Sequence, residues 1–158
     1  MPDLLIIISI LTLFSHMQET EDEGLRSPHG EAIKLEKLAQ GDNRAKVAIP
    51  YNNHLIGDPE TGVVHGGVIT TLLDTACGMS VRSDMEPGGG TAIATLDLRV
   101  DYMRPATPGE KIYAEAECCR RTRNIAFVRG TAYHQDVSKP IAICTATFML
   151  GTPNTRRL

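Results

Sequence analysis

The sequence predicts an α+β domain in which one long helix packs against an antiparallel sheet. The first observation is residues 63–79, a mostly apolar run whose apolar positions recur at the three- and four-residue spacing of a buried helix. The second is that apolar and polar residues alternate in several later segments, as they do in strands. Short turns join these segments, and short connections place consecutive strands antiparallel. One helix on one such sheet is an α+β architecture.

The first half of the chain contains the long helix and one strand. Residues 31–41 combine good helix formers with a closing glycine, which predicts a short amphipathic helix. Residues 44–51 predict a strand, and Pro50 marks its end or a sheet edge. Residues 52–64 are rich in Asn, Gly, Asp and Pro and predict a loop. The long helix then spans about residues 65–82.

The second half of the chain predicts four strands. Alternation over residues 91–105 stops at Pro105. The Pro108–Gly109 pair that follows has the order that a type II turn requires. Three further alternating segments lie at residues 111–120, 124–135 and 141–150. Together with the strand at residues 44–51, these segments make a five-stranded sheet.

A chain of 158 residues is long enough for one domain with a full core. We expect that domain over residues 31–151, after an extension of residues 1–30 that is mobile or outside the core and before a tail of residues 152–158. The apolar stretch Leu4–Phe14 has about half the length that spans a bilayer. It fits a segment packed on the domain, a poor signal peptide, or sequence upstream of a functional start. We favour the last, because the polar residues from Met17 onward suit a first turn.

Composition and charge argue against several partner classes. The net charge of -3 disfavours nucleic acid, since phosphate binding needs a strongly basic face, and the lack of Trp disfavours a base-stacking surface. The cysteines form no CxxC pair and no zinc-binding spacing, which predicts buried, reduced thiols in a cytoplasmic protein. They are Cys77, Cys118, Cys119 and Cys144. We expect no metal, no cofactor and no membrane partner.

The predicted helix contains one acid, Asp74, and its neighbours three and four residues away carry no charge. In an apolar helix a carboxylate without a partner is costly to ionise, so burial is expected to raise its pKa. A raised carboxylate pKa is what a general base needs near neutral pH. Asp74 is therefore a candidate catalytic base. The alternative is a structural acid that pairs with an arginine from a strand or with a neighbouring subunit.

The predicted helix begins with His65, Gly66 and Gly67, although glycine is a poor helix former. Residues without side chains let a ligand approach the free N–H groups at the positive end of the helix, and such donors can stabilise an oxyanion. Asp74 lies about 12 Å further along the axis, so one carbonyl cannot easily contact both positions on the same helix. A second, antiparallel copy of the helix across a dimer would supply the missing half. A tight turn is the alternative explanation of the glycines.

Two stretches carry a resemblance to a known family. Residues 62–78, GVVHGGVITTLLDTACG, resemble the His-Gly-Gly-x6-Asp signature of the PaaI-like acyl-CoA thioesterases of the hotdog fold. Residues 96–112, LDLRVDYMRPATPGEKI, resemble the strand and turn that follow it. The likeness covers residues 44–150. It implies a five-stranded antiparallel sheet around the central helix, two subunits joined in one continuous sheet, and active sites at their interface.

The resemblance also implies a reaction, the hydrolysis of a small to medium acyl-CoA thioester to CoA and a carboxylic acid, without a metal. The expected assembly is a homodimer or a dimer of dimers. By position, Asp74 matches the family's base or nucleophile, and Gly66 matches the residue whose N–H polarises the thioester carbonyl. His65 and Gly67 complete the motif and shape the pocket. Thr95 matches a hydroxyl from the partner subunit that helps to place the attacking water.

The chain departs from the family at one point. Members often carry an asparagine six or seven residues before the motif's histidine, where this chain has Asp58 and Pro59. Asn53 and His54 are candidates to reach the substrate from the same loop. A basic cluster on the later strands is a candidate site for the phosphates of CoA, and a solvated hairpin end is its alternative. Its members are Arg120, Arg121, Arg123 and Arg129.

Two other functions stay open at this point. The residues that replace the asparagine support a non-catalytic acyl-CoA-binding module that has kept the fold. A hotdog dehydratase or hydratase would need His54 or His65 as its catalytic histidine. His29 and His134 have no evident partner in the sequence, and we expect both at the surface.

Overall fold

The computed structural model describes residues 27–83, 85 and 92–152. Within them the helices are α1 (Pro28–Ala32) and α2 (Gly66–Arg82), and a 3-10 turn covers Asn53–Leu55. The strands are β1 (Glu36–Gly41), β2 (Arg44–Ile49), β3 (Ile56–Asp58), β4 (Val63–Val64), β5 (Ala92–Tyr102), β6 (Ile112–Arg121), β7 (Ile125–Tyr133) and β8 (Ala142–Thr152). The apolar stretch Leu4–Phe14, Met17 and nearly all of the C-terminal tail lie outside the described residues.

Six strands form one antiparallel sheet in the order β1-β2-β6-β7-β8-β5. The chain leaves β2, passes through α2 and enters the sheet again at its opposite edge with β5. Strands β3 and β4 pair separately as a small antiparallel hairpin just before α2. β1 and β5 are therefore the two edges of the main sheet. β5 lies far from β2 in the strand order, although it is the next strand of this sheet along the chain.

The core lies between α2 and the sheet. The side chains of Leu72 and Leu73 are fully buried there, and α2 packs mainly against β6, β2 and β7. β6 turns small buried residues such as Ala114 and Ala116 toward the helix, which lets the helix lie close to the strands. The predicted α+β class, with one long helix packed on an antiparallel sheet, is confirmed.

The predicted start and end of the long helix agree with the structure, since α2 spans Gly66–Arg82 and His65 is its N-cap. The type II turn is also present. Gly109 has a φ of 82°, and the Glu110 N–H donates to the Thr107 carbonyl at 3.3 Å. Pro108 therefore stands at the first central position of the turn and glycine at the second, where a positive φ is required.

The predicted helix over residues 31–41 is wrong. The helical turn α1 ends at Ala32, and residues 36–41 form β1. Asp42 and Asn43 have φ values of 50° and 59°, as a two-residue hairpin turn between twisted strands requires. This turn pairs β1 with β2, and the ladder overrides the helix propensity of the segment. The sheet consequently has six strands instead of the predicted five.

His134 is buried, with 6% of its surface exposed, so the prediction of a surface position is wrong for this residue. Its Nε2 accepts a hydrogen bond from the Thr107 N–H at 2.8 Å, and its Nδ1 donates to the Lys111 carbonyl at 2.8 Å. The ring thereby ties the turn before β6 to the end of β7. Both partners are backbone groups, so the residue types in the sequence could not predict these contacts.

The cysteines are free, and Cys77, Cys118 and Cys144 are buried as predicted. Cys119 is exposed, contrary to the prediction, because it follows Cys118 on the strand and points to the outer face of the sheet. In the part of the chain that the structure describes, none of the helices combines the length and apolar character needed to cross a membrane.

Candidate active site

The start of α2 carries one unpaired backbone donor. His65 has extended backbone angles, and its Nδ1 accepts a hydrogen bond from the Gly67 N–H at 2.9 Å. Its carbonyl accepts a hydrogen bond from the Val68 N–H at 2.9 Å. Among the described residues, no group accepts a hydrogen bond from the Gly66 N–H. This N–H is therefore available to a ligand at the positive end of a 17-residue helix.

Two hydroxyl groups hold the Gly66 carbonyl. Tyr102 donates to it at 2.7 Å, and the Thr70 hydroxyl lies 3.2 Å from it. A Cβ atom on residue 66 would lie 3.3 Å from the Tyr102 Oη, and one on residue 67 would lie 2.9 Å from the His65 Nδ1. Neither glycine has a positive φ. Close approach of neighbouring side chains, rather than a tight turn, therefore favours glycine at both positions.

Of the two loop residues predicted to reach the substrate, Asn53 and His54, only His54 lies beside the start of α2. The Asn52 side chain caps the 3-10 turn by accepting from the His54 N–H at 3.1 Å. The His65 N–H donates to the Leu55 carbonyl at 2.8 Å, which fixes this turn against the helix start. His54 thereby lines the cavity beside the helix. Asn53 is exposed and does not line it.

The cavity beside the start of α2 has a volume of about 290 Å³. Three imidazoles line it: His54 from the loop, His65 from the helix N-cap, and His29 from α1. His29 is exposed, as predicted, but its position at the site could not be predicted from the sequence. The other lining residues are Ile33, Leu55, Ile56, Gly67, Val68 and Thr71. The walls combine apolar surface with hydrogen-bonding groups and contain no acid.

Asp74 lies two turns further along α2 and is half-buried, not enclosed as the sequence led us to expect. The Thr95 hydroxyl donates to its Oδ1 at 3.0 Å. No described arginine or lysine forms an ion pair with it, and no described group donates to its Oδ2. The structural alternative of an arginine partner therefore finds no support, and one carboxylate oxygen is available to water.

Thr95 belongs to the same chain as the acid it contacts. The resemblance implied a hydroxyl from the partner subunit, whereas the structure joins Thr95 to Asp74 within one chain. Acid and hydroxyl would therefore enter a shared site together. The Gly66 N–H is separated from Asp74 by about 12 Å of helix axis, so the two halves of the predicted site do not meet within one chain.

The buried thiol beside the acid is not a competing nucleophile. Cys77 lies one turn after Asp74, with its Sγ 3.6 Å from the Sγ of Cys144. The contact with Cys144 and burial hold the pKa of the Cys77 thiol far above its usual range. Nucleophilic attack by cysteine requires the thiolate, so Cys77 stays inert. Nor do any three His, Cys, Asp or Glu side chains among the described residues lie close enough together to hold a metal ion.

The structure divides the predicted arginine cluster. Arg121 points inward and donates to the Val81 carbonyl near the end of α2, and its Nε is buried without a partner. The register shift between Cys118 and Arg120 is a β-bulge, which changes the face to which the following side chains point. Arg120, Arg123 and Arg129 are exposed. Arg121 therefore supports the helix end, and its role as a CoA contact stays a prediction.

Sequence reasoning also missed Tyr102 and Thr70 as parts of the site. Thr70 follows Gly66 by one helical turn, so both lie on one face of α2. That spacing was visible in the sequence. The approach of Tyr102 to the same carbonyl depends on the way β5 crosses the helix, and local sequence does not encode this.

The sequence profile of the thioesterase superfamily matches residues 61–141, which contain Gly66, Asp74, Thr95 and Tyr102. The chain belongs to the thioesterase superfamily. This membership confirms the resemblance to the hotdog thioesterases and the expected enzyme class, a thioester hydrolase. His29 and His54, which line the cavity, lie outside the matched residues.

Three known proteins illustrate the similarity. An esterase-type protein of Halobacterium salinarum is 41% identical over 87 residues, which cover 54% of this chain and 55% of that protein. The medium/long-chain acyl-CoA thioesterase YigI of Escherichia coli is 29% identical over 135 residues, covering 78% of this chain and 86% of YigI. A crystal structure of a Pseudomonas aeruginosa protein superposes with a TM-score of 0.73 at 42% identity, covering 83% of this chain and 96% of that one. This chain thus spans about half the length of the Halobacterium relative and most of the other two.

Proposed function

We propose that this protein hydrolyses small to medium acyl-CoA thioesters at sites shared between two copies of the chain. Asp74 of one protomer acts on the water, and the Gly66 N–H of its partner polarises the thioester carbonyl. The observation that carries the proposal is the division of the site: α2 carries an acid with a free oxygen at one point and an unpaired N–H about 12 Å away. A single thioester can use both groups only if they come from different copies.

Strand β5 supports a specific way for the two halves to meet. Thr95 near one end of β5 holds Asp74, and Tyr102 at the other end holds Gly66. β5 pairs with β8 on one side, and in the described sheet its other side has no neighbour. If two copies of β5 pair antiparallel about a two-fold axis through residue 99, the β-bulge at Leu96 brings Thr95 of one opposite Tyr102 of the other. Asp74 then faces the partner's Gly66.

The proposed reaction needs only these groups, water and the substrate. Asp74 takes a proton from water while the water oxygen bonds to the thioester carbonyl carbon. The carbonyl electrons move onto oxygen, where the partner's Gly66 N–H stabilises the negative charge. Collapse of this intermediate breaks the carbon–sulfur bond, and the CoA thiolate takes up a proton. The products are a carboxylic acid and free CoA.

Asp74 could instead attack the carbonyl directly and form a mixed anhydride. Quenching with borohydride during turnover distinguishes the two mechanisms, because it reduces such an anhydride and converts the aspartyl side chain to an alcohol. A general base leaves Asp74 unchanged. The hydrogen bond from Thr95, which fixes one carboxylate oxygen and leaves the other free for water, favours the base.

The cavity beside α2 is the proposed site of the acyl group. Its volume of about 290 Å³ is at the lower limit for small-molecule pockets, which favours small to medium acyl groups. YigI is named for medium and long chains. His54 lies in the loop before the helix, in which family members often carry an asparagine, and its turn is fixed against the helix start. We propose that it contacts the substrate there, with His65 and Gly67 shaping the wall.

The exposed residues Arg120 and Arg123 are the proposed contacts for CoA phosphates. We further propose a homodimer, or a dimer of dimers, that works without a metal or cofactor. A reducing compartment such as the cytoplasm suits the four free thiols.

The decisive experiment measures thiol release from a panel of acyl-CoAs. We expect Asp74→Asn to lower kcat about a hundredfold or more. Gly66→Pro removes the N–H donor, and the backbone angles of His65 (φ -60°, ψ 132°) are compatible with a following proline at the first helical position. Gly66→Ala is its matched control, because it adds the Cβ contact with Tyr102 and keeps the N–H. We expect the proline variant to lose about a hundredfold more kcat than the alanine variant.

Co-expression of Asp74→Asn with Gly66→Pro tests whether the site is shared. Each mixed dimer then has one site with both groups intact, so random pairing restores about a quarter of wild-type activity. No recovery would mean that the two groups act within one chain or not at all. If the wild type binds acyl-CoA but releases no thiol from any of the panel, the protein is a binding module and the proposed reaction is wrong.

A further inference from the structure

Tyr102 lies where the proposed interface strand meets the proposed oxyanion donor. It is the last residue of β5, and its side chain reaches the first residue of α2. We infer that the Tyr102 hydroxyl is a positioning residue, which holds Gly66 so that its N–H points at the thioester carbonyl. This inference rests on the proposed function and assigns a role that the sequence motif does not contain.

The peptide groups on both sides of Gly66 are fixed, and its N–H is left free. The peptide between His65 and Gly66 is held through its carbonyl by the Val68 N–H at 2.9 Å. The peptide between Gly66 and Gly67 is held at its N–H by the His65 Nδ1 and at its carbonyl by the Tyr102 hydroxyl. Among the described residues, Tyr102 therefore supplies the only side-chain hydrogen bond from another element to this backbone.

Two consecutive glycines make such support necessary. Glycine has more backbone freedom than any other residue, and a displacement of about 1 Å in a catalytic group can cost about a hundredfold in rate. Helical hydrogen bonds restrain the carbonyls of the first turn of α2 but leave its first N–H groups without intrahelical partners. A hydroxyl group from a strand limits this freedom without placing a side chain where the substrate must lie.

The geometry of the hydroxyl pair supports this role. The Tyr102 Oη and the Thr70 Oγ1 are 2.7 Å apart, and both approach the Gly66 carbonyl. With Tyr102 donating to the carbonyl, Thr70 can donate to the Tyr102 oxygen, and hydrogen bonds in such a chain strengthen one another. Thr70 alone is more distant, at 3.2 Å, so the tyrosine makes the shorter contact.

Exposure separates this role from ordinary packing. Half of the Tyr102 surface is exposed, so its hydroxyl is not required to satisfy a buried group. Loss of the hydroxyl should therefore affect the helix start more than global stability. Because β5 is also the proposed dimer edge, the same residue links assembly of the dimer to the position of the donor.

The test compares Tyr102→Phe with Tyr113→Phe, a matched control on β6 that removes a hydroxyl outside the site. We expect Tyr102→Phe to lower kcat about tenfold, to leave KM within about twofold, and to leave the dimer intact in sedimentation. The control should keep wild-type kcat and KM. Wild-type kcat in Tyr102→Phe, or a loss fully explained by dissociation of the dimer, would overturn the inference.

Infrared spectroscopy supplies a second measurement that does not require turnover. The probe is an acyl-CoA analogue in which a methylene replaces the thioester sulfur, so its ketone binds but is not hydrolysed. We expect the ketone stretching frequency to fall on binding to the wild type and to return toward the free value in Tyr102→Phe. An equal shift in both proteins would refute the role of Tyr102. If the wild type shifts the frequency but releases no thiol from acyl-CoAs, the proposed reaction fails while the inference about the donor stands; if it does neither, both fail.

Discussion

The two edges of the sheet differ in ways that separate stability from function. β1 has six residues, contains a β-bulge after Lys37 and ends in a tight hairpin turn. Short strands, bulges and lysines are the means by which proteins prevent edge-to-edge pairing. β5 has eleven residues, and its side chains include exposed Leu96 and Tyr102. A long edge with exposed apolar side chains is expected to acquire a partner.

The internal contacts of the two edges differ as well. β1 contacts the far end of α2, where Gln40 donates to the Met79 carbonyl at 2.9 Å. β5 contacts both groups of the candidate site, the acid through Thr95 and the helix start through Tyr102. Changes on β5 should therefore alter assembly and rate, and changes on β1 should alter stability alone.

The largest expected effect comes from placing a charge on the β5 edge. Leu96 is 52% exposed, and Leu96→Asp would put a carboxylate into the proposed interface. We expect a monomer in sedimentation and a loss of thiol release of about a hundredfold or more, because each site loses one half. Leu38→Asp is the matched control on β1, where Leu38 is 45% exposed, and should stay dimeric and active. A dimer that persists in Leu96→Asp would show that β5 is not the interface.

A smaller loss of rate is expected when the acid loses its hydrogen bond. Thr95→Val keeps the shape of the side chain and removes the donor to the Asp74 Oδ1. We expect kcat to fall about tenfold, with the dimer and the melting temperature little changed, because the carboxylate is less well oriented toward water. Thr95→Ser restores the hydroxyl and should recover most of the rate. Equal kcat in the valine and serine variants would remove Thr95 from the mechanism.

Much of the fold could be predicted because local pattern and tertiary structure agree. The apolar spacing of residues 65–82 predicted α2 nearly to the residue, and alternation predicted the strands after it. β1 was mistaken for a helix because Leu35 and Leu38 fit a helical spacing. The left-handed turn at Asp42 and Asn43 makes the segment a strand instead of a helix. This turn is stabilised by the pairing of β1 with β2, not by local preference.

The site could be predicted as a motif but not as a set of contacts. His65, Gly66 and Asp74 were found because their residue types are unusual where they stand. The inward position of Arg121 could not be foreseen because a β-bulge redirects its side chain. Tyr102 was missed because its contact joins a helix and a strand that are distant in sequence, which no local spacing reveals.

On the β1 edge, Gln40→Ala should affect stability alone. Loss of its hydrogen bond to the Met79 carbonyl leaves that end of α2 less well held. We expect the free energy of unfolding to fall by about 1 kcal/mol in urea titrations, with kcat and KM unchanged. A change in kcat larger than about twofold would show that the β1 side is coupled to the site, contrary to the comparison.

The smallest expected effect is a pH dependence of the free energy of unfolding, and it arises at Glu115 in the strands away from the β5 edge. Burial acts to raise the pKa of Glu115 on β6, but hydrogen bonds from Lys46 on β2 and from Tyr133 on β7 outweigh it and hold the pKa below its usual 4.5. A carboxylate whose pKa is lower in the folded state stabilises the fold above about pH 4.5 and loses that contribution as the pH falls through the folded value. Because 43% of the side chain is exposed, the contribution stays below about 1 kcal/mol.

Urea titrations of wild type and Glu115→Gln between pH 3 and 7 measure this contribution. We expect the wild type to be more stable than the variant at pH 7 and the difference to shrink below pH 4.5, since glutamine keeps the shape but not the charge. Thiol release at pH 7 should be equal in the two proteins, because strands β7 and β8 separate the Lys46–Glu115 pair from β5. A pH-independent difference in stability would mean that Glu115 contributes through packing and not through ionisation. A loss of rate in Glu115→Gln would mean that this ion pair also affects the site.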